Sequence, residues 1–149
     1  MKIDSRAPLS AREEILISAP VEQVWSAMSE IDRWAEWQSD VTAAKLDGEL
    51  KAGTTFHWKA KGLNIVSTIQ VCEPMRRIGW TGNSPGMQAV HLWTFEPSAE
   101  GTLVTTEESL SGWFARLLKV LDAQFLQKSL LQSLQVLKEH VEGKQRGLP

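Results

Sequence analysis

Hydrophobic positions are most regular in the last third of the chain. Between Trp113 and Val141 there is no Pro or Gly, and Phe114, Leu117, Leu118, Leu121, Phe125, Leu126, Leu130, Leu134, Leu137 and Val141 recur at helical spacing. This predicts one amphipathic helix of about 29 residues, roughly 43 Å long. Propensity alone does not hold so long a helix, so its apolar stripe needs a surface to cover. The stripe changes register across Asp122-Ala123-Gln124. Its C-terminal half is therefore expected to pack permanently on a sheet, and its N-terminal half, with Trp113 and Phe114, to border a cavity entrance.

Upstream the pattern is mostly that of strands. A polar tail leads to a strand over Glu13–Ser18, and Ala19-Pro20 stops it. Pro20 suits the start of a helix, where its missing N–H would have no partner. In the helix that follows, Val21, Val24, Trp25 and Met28 share one face; a second short helix over Ile31–Trp37 sets Trp34 and Trp37 at i, i+3. Strands are then predicted over Val41–Leu46, Thr54–Ala60, Leu63–Glu73, Arg76–Thr81, Met87–Glu96 and Leu103–Leu110, with Gly82–Gly86 a loop. Alternation turns Phe56, Trp58 and Ala60 inward, and likewise Ile65, Ser67, Ile69 and Val71, then Met87, Ala89, His91, Trp93 and Phe95, then Val104, Thr106, Glu108 and Leu110. Ser111 is placed to cap the long helix, and Gly143–Pro149 reads as a frayed tail.

No repeat or linker interrupts this order, which predicts a single domain over 1–149 with its core at about 11–141 and tails at 1–10 and 142–149. Consecutive, short-linked strands with segregated helices give an α+β class: a curved antiparallel sheet of about seven strands around a long C-terminal helix.

Composition narrows the functions. The 149 residues carry a net charge of -2, and the cations are dispersed, with Arg76-Arg77, Lys59 and Lys61 as solvated surface, so a nucleic-acid partner is not expected. The single cysteine, Cys72, is expected to be a buried, inert thiol. The N-terminal residues lack the apolar core of a signal peptide, and no apolar run reaches membrane-span length, so a cytoplasmic protein without a membrane span is expected. Seven Trp with no Tyr suggests places where apolar bulk meets a polar edge, such as a pocket wall.

Certain residues resemble a known family. Ile17-Ser18-Ala19-Pro20-Val21-Glu22-Gln23-Val24-Trp25, Trp34-Ala35-Glu36-Trp37, Glu73-Pro74 with Trp80, His91 to Pro97, Gly101-Thr102 and the terminal helix are similar in order and spacing to the polyketide cyclase/dehydrase group of the START-like (SRPBCC) superfamily. That resemblance spans roughly residues 11 to 141. It implies the helix-grip fold of the birch-pollen allergen and a mainly apolar cavity between sheet and long helix for lipids, polyketides or other hydrophobic ligands. It carries no catalytic signature onto particular residues.

His91 and Glu108 are the ionisable residues that alternation turns into such a cup, where a carboxyl gains a raised pKa and an imidazole can share its proton. They are open to three readings: a pair that merely satisfies its own hydrogen bonding in the core, the polar anchors of a ligand, or an acid/base pair. The expected lining is Phe56, Trp58, Ile69, Trp80 and Trp93 from the sheet, with Phe114, Leu118, Leu121 and Phe125 from the helix. His57, His91 and His140 lie on separate elements without ligand-like spacing, and no phosphate loop, nucleophile elbow or dinucleotide fingerprint occurs, so neither a metal nor a cofactor is expected. The reading favoured is a binding protein for a small hydrophobic or aromatic molecule. Its alternatives are a cyclase or dehydratase using His91 and Glu108, and an interaction module or homodimer joined through Trp34 and Trp37 or through Leu126 to Leu131.

Overall fold

A computed structural model describes residues 1–145 and 147. Seven strands form one antiparallel sheet: β1 (Leu9–Ile17), β2 (Val41–Leu46), β3 (Thr55–Ala60), β4 (Leu63–Glu73), β5 (Arg77–Ser84), β6 (Met87–Ser98) and β7 (Gly101–Ser111), in the order β1-β7-β6-β5-β4-β3-β2. Helix α1 (Val21–Ser29) and a 3-10 turn (Ile31–Glu36) separate β1 from β2, and α2 (Trp113–Leu121) and α3 (Phe125–Gln145) follow β7. Register shifts between Val41 and Ala43 and between Ile69 and Val71 mark bulges, which bend and twist a sheet locally. The α+β helix-grip architecture expected from the residue pattern is the one found.

Element boundaries differ in instructive ways. β1 starts at Leu9, inside the stretch taken as tail, because Leu9 pairs with Leu110 and is buried against it. β5 extends to Ser84, so the loop expected over Gly82–Gly86 shrinks to a tight turn. Ser111 ends β7 instead of capping a helix; its hydroxyl donates to the Gln88 carbonyl at 3.5 Å, and Gly112, with φ of 101°, holds the cap position. α3 continues through Gly143 to Gln145, past the expected fraying point, while Arg146, Leu148 and Pro149 lie outside the described residues.

The 29-residue helix is two helices. The chain leaves helical geometry at Asp122, whose backbone is extended and whose carboxylate accepts the Gln124 N–H at 3.0 Å and the Lys128 ammonium at 3.0 Å. A short acidic side chain that bonds its own downstream backbone offers an alternative to helix continuation. The change of stripe register in the sequence coincides with this break.

α3 lays Leu130, Leu134, Leu137 and Val141 on the sheet. Two buried clusters result. The larger joins Ile17, Val24, Trp25, Met28, Trp34, Phe56, Ile69, Trp80, Trp93 and Phe95 to the C-terminal part of α3; the smaller joins Leu9, Leu110, Ala115, Leu126 and Leu130. Burying each large side chain contributes roughly 1.5–3 kcal/mol.

Candidate functional site

The two clusters do not merge completely, and a cavity of about 140 Å³ lies where they meet. Its sheet wall carries Trp58 and Ala60 from β3, Ile65 from β4, Trp80 from β5, His91 and Trp93 from β6, and Glu108 and Leu110 from β7. Met28 and Trp34 close one end, and Phe125, Leu126, Ser129, Leu130 and Ser133 form the helix wall. A smaller space of about 80 Å³ adjoins it, sharing Trp58, Ile65, Trp80, Met87, Glu108 and Leu110 and adding Ser67 and Ser84.

The aromatic wall is built by strand alternation. Trp34 is wholly buried, donates its indole N–H to the Met28 carbonyl at 3.1 Å, and meets Phe56, Trp58 and Trp80 with ring centroids 5.3–5.6 Å apart. Such tilted and edge contacts add roughly 0.5–1.5 kcal/mol each beyond burial. Trp58 is fixed by donating to Ser67 Oγ at 3.0 Å. The indole N–H of Trp93 is buried and has no partner among the described residues, a donor that costs about 1–3 kcal/mol when unmet.

His91 and Glu108 are directly opposite each other in the β6–β7 register, and Nδ1 of His91 lies 3.3 Å from Oε2 of Glu108. Nε2 of His91 is 2.8 Å from the Thr106 hydroxyl, so both ring nitrogens have partners. Burial holds the His91 pKa down to about 3. Burial also pushes the Glu108 carboxyl up to about 8, against a smaller opposing pull from the Lys61 ammonium. At neutral pH the pair is therefore a neutral imidazole beside a protonated carboxyl. If the Glu108 O–H donates to Nδ1, its other oxygen is left as an acceptor; if Nδ1–H donates to Glu108, the carboxyl O–H is left as a donor. In its two neutral arrangements, which differ in the imidazole tautomer and the turn of the carboxyl, the pair can offer a guest either kind of hydrogen bond.

The mouth is polar. Lys61, on the β3–β4 turn, donates to Ser129 Oγ at 3.1 Å, stands 3.9 Å from the Asp40 carboxylate, and lies 5.0 Å from the Phe125 ring centroid. It ties the turn to α3 across the opening.

The structure gathers Trp58, Trp80, His91, Trp93, Glu108 and Phe125 around the cavity. Phe56 and Ile69 are instead fully buried in the core and do not line the cavity. Phe114, Leu118 and Leu121 lie off the cavity, because the break at Asp122 turns α2 away, and the helical border is the start of α3. The sequence pattern did not single out Asp40, Ser129 or Ser133; it read Lys61 as solvated surface, and it turned Ile65 and Leu110 inward without naming them as lining. Ser129 and Ser133 fall on the stripe side of α3 near Leu126 and Leu130, and their polarity removed them from an apolar count. Cys72 is half-buried, and burial raises its thiol pKa. The interaction face expected at Trp34 is unavailable, since that ring is buried, while Trp37 stacks on His140 at 4.8 Å.

A larger open groove of about 720 Å³ runs outside, between α1, the 3-10 turn and the end of α3. Within it Arg33 is bound to Glu36 at 2.9 Å and to Glu30 at 3.4 Å, and it contains neither His91 nor Glu108. Perturbed ionisable groups in an apolar cavity point to the smaller site. Among the described residues no group of three or more His, Cys, Asp or Glu side chains is placed to hold a metal ion, and no helix is long and apolar enough to cross a membrane.

A family model described as polyketide cyclase / dehydrase and lipid transport matches residues 8–142. The chain belongs to this family. A hypothetical protein from Helicobacter pylori superposes with a TM-score of 0.80 at 18% identity, over 93% of this chain and 91% of that one. A START superfamily protein from Mycobacterium smegmatis gives 0.71 at 11%, over 89% and 97%. The di-domain ARO/CYC BexL from the BE-7585A biosynthetic pathway gives 0.68 at 22%, over 93% of this chain and 52% of that one. These likenesses show a shared helix-grip fold. No curated protein sequence matches the chain.

Proposed function

We propose that the protein binds a small, uncharged, largely apolar ligand of single-ring size in the cavity between sheet and α3. Trp58, Trp80 and Trp93 supply the wall, and the His91–Glu108 pair is the polar anchor. The observation that carries this reading is a buried His91–Glu108 pair, 3.3 Å apart, facing a largely apolar space of about 140 Å³. An apolar cavity of about 150 Å³ accommodates a benzene ring. A charged guest would lose its hydration to a wall without a free counter-charge, whereas a carbonyl, amide or phenol can bond the pair in either tautomer. Extraction of the purified protein followed by mass spectrometry tests this: a stoichiometric neutral aromatic or lipid-like compound supports it, and protein that is empty and takes up none from a mixed extract contradicts it.

One observation favours a second reading, acid/base catalysis in a cyclase or dehydratase. A carboxyl with a pKa of about 8 is suited to exchanging protons near neutral pH, and His91 is in reach to share that proton. The cyclase part of the family description and the ARO/CYC relative support it. Glu108→Gln separates the two. Retained affinity with turnover of a polyketide-like substrate abolished favours the enzyme; lost affinity without any wild-type turnover favours the carrier.

A further inference from the structure

α2 is mounted with its apolar face outward. Of its nine residues only Ala115 is buried, while Trp113, Leu117, Val120 and Leu121, at i, i+4, i+7 and i+8, are 67%, 45%, 83% and 72% exposed. Its only charged residues are Arg116 and Lys119, and both are exposed. The orientation is built into the fold. The Phe114 N–H donates to the Gly86 carbonyl at 2.9 Å, and Gly86, with φ of +73°, lies so close under the Trp113 ring that a Cβ there would be 2.4 Å from it. At the other end the Asp122 carboxylate is occupied by Lys128 and the Gln124 N–H.

We propose that α2 docks the protein on an anionic phospholipid surface, with Trp113, Leu117, Val120 and Leu121 at the headgroup–acyl boundary and Arg116 and Lys119 among the headgroups. A short helix with an aromatic and aliphatic face and only cationic charge has the composition of an interfacial anchor. The stems of Arg and Lys can lie along the apolar surface while their heads reach phosphates. Charge argues against a second copy as the occupant: a two-fold contact between α2 helices would gather four cations at its edges with no carboxylate from either helix. The chain carries -2 overall, yet α2 itself carries only positive charge. The proposal is independent of what the cavity holds.

Co-sedimentation of the full chain with vesicles of phosphatidylcholine containing about 30% phosphatidylglycerol, and with pure phosphatidylcholine, tests it. The anionic vesicles should retain the protein at least about tenfold better, and raising salt from about 0.05 to 0.5 M should release it. Val120→Glu with Leu121→Glu alters only exposed side chains and should abolish retention with an unchanged circular dichroism spectrum. Arg116→Gln with Lys119→Gln, a second variant with the apolar face intact, should remove the preference for anionic lipid. Equal retention of wild type and the glutamate variant, no preference for anionic vesicles, or a wild-type dimer that ignores vesicles and dissociates in the glutamate variant would each overturn the proposal.

Discussion

His91 on β6 and Glu108 on β7 face each other across one rung of the sheet, with Nδ1 and Oε2 3.3 Å apart, and burial shifts their proton affinities in opposite directions. Each is pushed toward its neutral form. The pair is therefore a hydrogen-bonding device and not an ion pair at neutral pH.

This makes stability depend on pH in two separate limbs. Below its ordinary value of 6.5 the unfolded His91 takes up a proton that the folded one, at about 3, refuses, so His91 makes stability rise with pH from about 3 to 6.5. Glu108 acts oppositely, since the folded carboxyl keeps its proton to about 8 while the unfolded one loses it near 4.5, so its contribution falls over that window. The two cancel between 4.5 and 6.5, leaving an alkaline limb worth about 2 kcal/mol from pH 6.5 to 8. Urea unfolding across this range should show the limb in wild type and lose it in Glu108→Gln; an identical slope in both would refute the assignment.

Lys61 pulls the Glu108 pKa down from across the mouth. Lys61→Met should therefore let the carboxyl titrate still higher and extend the alkaline limb beyond pH 8. The same change removes the tie to Ser129 and Asp40, so stopped-flow tryptophan fluorescence should find faster ligand entry and exit with less change in affinity. Unaltered rates would mean that the mouth lies elsewhere.

Gly86 holds a left-handed turn directly beneath Trp113. Gly86→Ala should cost about 1–3 kcal/mol in urea unfolding through backbone strain, and hydrogen exchange should show that α2 loosens while α3 keeps its protection. Stability equal to wild type would show that the turn yields easily.

Much of this architecture was visible in the residues. Alternation in β6 and β7 turned His91 and Glu108 to one face, and only the antiparallel register, a consequence of the tight hairpin at Ser98–Gly101, placed them opposite each other. The same alternation found Trp58, Trp80 and Trp93, because a period of two is a local property. Phe56 and Ile69 obey that period too, yet are filled over by neighbouring core side chains such as Trp34 and Trp80, which periodicity along one strand does not report. α2 misled for a different reason: periodicity gives a helix an apolar face without telling where that face points. Its direction is set at Gly86, Gly112 and Asp122, through contacts that periodicity does not report. Lys61 was hidden because a cation in a turn looks like any solvated lysine until its neighbours across space are known.

Glu108 also separates anchoring from packing. Because the carboxyl bonds His91 across the rung, Glu108→Leu leaves a buried imidazole nitrogen without its partner and should cost about 1–3 kcal/mol, whereas Glu108→Gln should cost less. Thermal unfolding of the two variants at pH 6 measures the difference, and equal losses would indicate that the bond adds little.

Titration of the wild-type protein with benzamide and with its anionic counterpart benzoate, followed by the indole N–H signals of the seven tryptophans, tests the neutral-guest cavity most directly. Benzamide is predicted to shift the signals of Trp58, Trp80 and Trp93 saturably and leave that of Trp113 in place, with benzoate at least about tenfold weaker. Shifts absent from those three indoles, or benzoate binding as tightly as benzamide, would contradict the account.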